Sequence, residues 1–168
     1  IEAYVCPMLI PSNHPLASVN DSYNAVFVNG DAVENAMFYG RGAGELPTAS
    51  AVVGDLFDIA RNISAGCCGR IGCTCYKEIP VKKMADTHNR YFMRLIVEDR
   101  CGVLAEMTAV FAKYGVSVAQ IIQKAAREAG SAEVVVITAK VREGDFRTAM
   151  EELSGRKSVR KISSMLRV

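Results

Sequence analysis

The sequence predicts an α+β protein in two parts, and three observations carry that expectation. Residues 91–168 repeat their apolar positions in the order strand, helix, strand, strand, helix, strand within about 78 residues, which is the split-βαβ or ferredoxin-like plan. Residues 1–62 read as strands near 1–10 and 25–39 followed by a single amphipathic helix. Between these parts, from Ser64 to Arg90, periodicity disappears. A connector that long is unusual inside one domain and natural at a boundary.

In the first part, Pro11 to Tyr23 is polar, holds Pro11 and Pro15, and reads as a loop. Ala25-Val26-Phe27-Val28 runs into Asn29-Gly30-Asp31, a turn signal, and Ala36-Met37-Phe38-Tyr39 follows. Pro47 then opens a helical pattern with Val52, Leu56, Ile59 and Ile63 at three- and four-residue steps. Proline suits a first helical turn because the N–H it lacks would be unpaired there.

The second part is more regular. Tyr91–Val97 reads as a strand and Asp99–Gly102 as a turn. Leu104–Tyr114 reads as a helix with Leu104, Met107, Val110, Phe111 and Tyr114 on one face, stopped by Gly115. Val116–Gln123 alternates for part of its length, and Glu133–Val141 is a β-branched run. Phe146–Leu153 returns to helical spacing, and Val159–Val168 closes as a strand. Met107, Met150 and Met165 are expected as core filler. The open face of such a sheet ordinarily needs a partner.

Composition narrows the function classes. The 168 residues carry 20 basic and 18 acidic side chains, are 50% hydrophobic and 23% charged, and so suit a globular chain rather than a disordered one. The +2 balance gives no concentrated basic face for phosphates, which argues against nucleic acid. The densest apolar run, Val134–Ile137, is far short of the roughly 18 residues of a membrane span. No basic flank precedes an apolar stretch at the N-terminus, so neither a signal peptide nor a membrane is expected. A chain that starts at Ile1 is expected to be cut from something longer.

Six cysteines without an export signal suggest free thiols and a cytoplasmic location. Cys67, Cys68, Cys73 and Cys75 are spaced CC-x4-C-x-C. Zinc sites usually pair ligands as C-x2-C, so this spacing fits a metal poorly and no metal site is expected. With only His14 and His88, neither beside a plausible nucleophile, a triad hydrolase is unsupported. His14 reads as loop structure, and Lys82-Lys83 as solvated linker.

Two stretches carry a family resemblance. The run from Gly40-Arg41-Gly42-Ala43-Gly44-Glu45-Leu46-Pro47 to Gly54-Asp55 resembles the glycine-rich signature of bacterial homoserine dehydrogenases. Leu9-Ile10-Pro11, His14-Pro15-Leu16-Ala17, Asn24-Ala25-Val26 and Gly30-Asp31-Ala32-Val33 resemble the same enzymes in the same order. Residues 91–168 resemble an ACT domain, the amino-acid-sensing module many of those enzymes carry. The implied division is 1–62 as part of the substrate and dimerisation domain, 63–90 as a Cys-rich linker, and 91–168 as the ACT regulatory domain.

The resemblance implies a parent that reduces aspartate β-semialdehyde to homoserine with NADPH or NADH, on the path to threonine, methionine and isoleucine. It implies that Gly42, Ala43, Gly44 and Glu45 face the cofactor, on a loop whose glycines let backbone approach a ligand. No G-x-G-x-x-G fingerprint occurs in these residues. The family's catalytic lysine, acidic partners and cation site are expected upstream of Ile1. No catalytic residue is therefore expected in this chain, nor a tightly bound cofactor. In the ACT-like part, the effector loop implies Asp99, Gly102, Val103, Leu104 and Gln120 as amino-acid contacts, with Gln123 beside Gln120 near the second strand. Cys101 stands where the family often has proline. The expected partners are a second copy, joined through the ACT sheets and residues 1–62, and an amino-acid effector, threonine first. Two other readings remain open: a free-standing amino-acid-binding regulator, and a zinc-linker protein built on the clustered cysteines.

Overall fold

The computed structural model describes residues 1–69, 72–73, 75–125 and 128–168. Residues 70, 71 and 74 of the expected linker lie outside the described residues. The chain divides into two compact units, Ile1–Leu9 with Ile79–Val168, and Ile10–Glu78.

The larger unit is built on a four-stranded antiparallel sheet. Its strands are β4 (Tyr91–Glu98), β5 (Val118–Ala125), β6 (Ser131–Thr138) and β8 (Val159–Arg167), in the spatial order β5-β6-β4-β8. Two helices, α2 (Val103–Lys113) and α3 (Glu143–Ser154), complete a βαββαβ order. Period-two alternation turns Tyr91, Met93, Leu95 and Val97 of β4 inward. Val134 and Val136 of β6 face the same core. Against them α2 presents Val103, Met107, Val110 and Phe111, and α3 presents Phe146, Ala149, Met150 and Leu153. Each fully buried Leu, Val, Phe or Met here contributes about 1.5–3 kcal/mol. Met165 departs from expectation: it lies on β8 and is 47% exposed. It points away from the face on which Met107 and Met150 are buried.

Gly115 ends α2 with φ +66°, a conformation that glycine adopts without Cβ strain. The Val116 N–H reaches back to the Phe111 carbonyl at 2.8 Å and the Gly115 N–H to Ala112 at 3.1 Å, so carbonyls of the last turn are satisfied.

Residues 1–10 do not form the expected strand. They make one parallel bridge, Met8 to Arg167, with the Leu9 N–H donating to the Arg167 carbonyl at 2.8 Å. Pro7 and Pro11 lack the N–H donors that would extend a ladder. Lys82 is not merely solvated linker either. Its N–H donates to the Ile1 carbonyl at 2.8 Å, and its ammonium lies 3.5 Å from Glu2. Within the expected linker, β3 (His88–Asn89) pairs with β7 (Val141–Arg142). Arg142 also bridges to Asp86 at 2.6 Å. Residues 79–90 thus pack with the sheet unit.

The smaller unit holds β1 (Tyr23–Gly30) and β2 (Glu34–Arg41), an antiparallel hairpin registered from Tyr23↔Arg41 to Gly30↔Glu34. It also holds α1 (Glu45–Ser64). His14 caps a short 3-10 turn, Pro15–Ser18, by accepting the Leu16 N–H at Nδ1. No described residue of 10–78 is buried. The apolar stripe of α1 is present as expected, yet Leu56 is 59% exposed and Ile63 65%.

Candidate functional site

The loop expected to meet an effector follows β4. Gly102 is the N-cap of α2 and holds φ +90°, a left-handed conformation that disfavours any residue with a Cβ. No side chain caps this helix. The backbone N–H groups of its first turn, Val103 and Leu104 among them, therefore have no partner from a capping side chain. A helix N-terminus of this kind favours an anion. Around it lies a cavity of about 430 Å³ lined by residues 97–104 and Gln123. Asp99, Gly102, Val103 and Leu104 are all in that lining.

Gln120 is not in the lining, whereas Gln123 is. The two stand three residues apart on β5, so strand alternation puts their side chains on opposite faces. The register shift between Val118 and Gln120 is not legible from apolar periodicity. Arg100 is held at the cavity rim by Glu98 at 2.8 Å and Glu106 at 3.0 Å. Ser158 donates to the other Glu106 oxygen at 2.7 Å. Hydrogen bonds from Ser158 and then Arg100 hold the Glu106 carboxyl below its usual value, so it remains an anion.

In the glycine-rich loop, Gly42 packs against Asn24. A Cβ at Gly42 would fall 2.2 Å from the Asn24 amide nitrogen, so this glycine permits a close internal contact. Gly44 is the N-cap of α1 with φ +120°, and Ala43 and Glu45 are exposed. The uncapped N–H groups of Glu45 and Leu46 suit an anionic oxygen, while the Glu45 carboxylate suits a hydroxyl. Arg41 is engaged locally, donating to Ser22 at 3.0 Å and lying over the Tyr23 ring. Thr48 and Ser50 make no side-chain cap on α1.

Sequence patterning missed a buried ionic cluster. Glu143, at the start of α3, pairs with Arg167 at 2.7 Å, with side chains 5% and 7% exposed. Arg147 donates to its other oxygen at 2.6 Å, and the Tyr91 hydroxyl donates to the Arg167-bound oxygen. Tyr4 lies over the Arg167 guanidinium at 4.2 Å, and its hydroxyl donates to Asn89 at 3.2 Å. Burial alone raises the Glu143 carboxyl, but hydrogen bonds from Tyr91, Arg147 and Arg167 outweigh it and hold the group below its usual value. Burial, then the hydrogen bond to Glu143, pushes Tyr91 up to about 12.

These shifts give a pH prediction. A carboxyl whose value is depressed by folding adds stability above its unfolded value, near 4.3, and loses it as pH falls through the folded value. Glu152, held at about 2 by Lys113, Arg156 and Tyr114, acts in the same direction as Glu143. Thermal melting of the chain is therefore expected to fall steadily below about pH 5. A melting temperature unchanged down to about pH 2.5 would contradict the assignment.

Comparison with known proteins agrees with this architecture. The homoserine dehydrogenase family profile matches residues 1–57 and the ACT domain profile residues 91–156. The homoserine dehydrogenase of Corynebacterium glutamicum is 42% identical over the whole chain, which spans 37% of that protein. That of Bacillus subtilis is 37% identical, again over the whole chain and 39% of its own length. The crystal structure of a homoserine dehydrogenase from Thiobacillus denitrificans superposes with a TM-score of 0.86 at 32% identity, covering 99% of this chain and 38% of that one. The chain thus spans about two fifths of the length of the relatives it matches.

Proposed function

We propose, for a chain that carries homoserine dehydrogenase family sequence followed by an ACT domain, that it is the cofactor-contacting and amino-acid-sensing part of such an enzyme. The parent enzyme reduces L-aspartate 4-semialdehyde to L-homoserine with NADPH or NADH in the cytoplasm, on the path to threonine, methionine and isoleucine. In this reading, residues 1–62 belong to the substrate and dimerisation domain and 91–168 regulate, while of the stretch between them 63–78 links and 79–90 packs, as residues 1–9 also do, with the sheet unit.

The observation that carries the reading is the cavity at Asp99–Leu104, where left-handed Gly102 exposes uncapped backbone donors. An amino acid fits it with its carboxylate on the Val103 and Leu104 N–H groups and its ammonium toward Asp99. Gln123 faces the same space and offers an amide to a side-chain hydroxyl. Threonine is the first choice because it is an end product of that path. The strand β5 supports pairing with a second copy: it is a sheet edge, with Ile121 and Ile122 exposed, and an unpaired edge favours strand addition. At the opposite edge, Met8 and Leu9 already engage the end of β8.

When bound, the nicotinamide supplies the hydride. Residues 42–45 supply contacts only: N–H donors at the start of α1 and the Glu45 carboxylate. The exposed apolar stripe of α1 fits a surface supplied by the rest of such an enzyme. These 168 residues are expected to oxidise no homoserine when purified and mixed with NADP or NAD. Steady reduction of either cofactor by the chain would overturn this assignment of roles.

A further inference from the structure

The clustered cysteines play no part in the functions described above. Among the described residues, no group of three His, Cys, Asp or Glu side chains converges to hold a metal ion. What the cluster does contain is a paired contact. The Cys75 backbone N–H donates to the Cys73 sulfur at 3.4 Å, and both side chains are exposed free thiols. We propose that Cys73 and Cys75 form a reversible dithiol–disulfide pair that exchanges with low-molecular-weight thiols and disulfides.

The chemistry follows from what surrounds the Cys73 sulfur. A thiolate is the nucleophile in exchange, and groups that stabilise it raise its population near neutral pH. The Cys75 N–H, and then the Cys75 thiol, hydrogen-bond to Cys73 and lower its pKa from the usual thiol value. The same contacts place the second thiol beside the first. Cys73 attacks one sulfur of a small disulfide, forming a mixed disulfide and expelling one thiolate. Cys75 gives its proton to solvent and attacks the Cys73 sulfur, expelling the second thiolate. The protein loses two hydrogens and one small disulfide becomes two thiols, so electrons and atoms balance. Cys101 is exposed too, but its nearest cysteine in the sequence is Cys75, 26 positions away, so it has no neighbouring thiol at the spacing of the 73/75 pair.

The pair is convenient to test because trypsin cuts after Arg70 and Lys77, leaving Cys73 and Cys75 as the only cysteines of one peptide. The full chain is equilibrated at glutathione to glutathione disulfide ratios from about 1000:1 to about 1:1, quenched with an alkylating agent and digested. The expected result is a residue 71–77 peptide about 2 Da lighter and unalkylated as the buffer becomes oxidising, and doubly alkylated when it is reducing. Cys73 is also expected to alkylate at least about fivefold faster than Cys101 near neutral pH. The variant Cys75→Ser is expected to stop at a glutathione adduct on Cys73. A 71–77 peptide that stays doubly alkylated at every ratio would overturn the proposal, as would closure of Cys73 onto Cys67 or Cys68.

Discussion

Replacing Arg167 with alanine is expected to destabilise the sheet unit by about 3–5 kcal/mol, because it strands a buried carboxylate. Glu143 is 5% exposed in its side chain and shares one oxygen between Arg167 and the Tyr91 hydroxyl. Among the described residues, removing the guanidinium leaves Arg147 as its remaining cation, and that side chain is 61% exposed. The substitution also removes what Tyr4 covers and what Cys6 and Met84 accept from at 3.4 and 3.0 Å. The N-terminal segment is therefore expected to loosen together with the end of β8. Urea unfolding of the full chain measures the first effect, and amide exchange at residues 2–9 the second. The pair Glu143→Leu with Arg167→Met is expected to recover most of the loss, since replacing both charges leaves none buried alone. A loss below about 1 kcal/mol for Arg167→Ala would mean that the cluster is solvated in solution.

Gly102→Val is expected to weaken amino-acid binding by at least about tenfold while leaving the sheet folded. A Cβ at Gly102 meets nothing within 4 Å, but the backbone sits at φ +90°. The obstacle is therefore conformational rather than a clash. A β-branched residue would shift the loop out of the left-handed region and re-aim the Val103 and Leu104 donors. Calorimetric titration of the variant reads the loss. Far-UV circular dichroism matching the parent chain shows that the fold survives. Undiminished affinity would remove the helix N-terminus from the site.

How much was legible depended on range. The alternation of β4 and the helical spacing of α2 and α3 were plain in the sequence, because one buried face imposes a local period. The N-terminal segment was not. Its apolar residues suggested a strand, but its partners are the far end of the chain at Arg167 and the Pro80–Lys82 stretch. Proline at positions 7 and 11 limits it to a single bridge. Glu143 lies ahead of the apolar spacing of Phe146–Leu153, so no local period marks it, and it is the pairing with Arg167 at the end of β8 that buries it. In the candidate site, the turn at Asp99–Gly102 was readable from its glycine and its place before a helix. The choice between Gln120 and Gln123 was not, because it depends on a register shift in β5. The stripe on α1 was readable as a pattern, but a pattern does not say which surface covers it.

Calorimetric titration of the chain with threonine, isoleucine, methionine and lysine reaches the sensing role itself. Saturable heat is expected with threonine first. If the site is completed by a second copy, binding and association are linked, so threonine should also shift the chain toward its associated form in light scattering. No heat with any of the four at millimolar concentration would contradict the sensing role and leave residues 91–168 as a structural module.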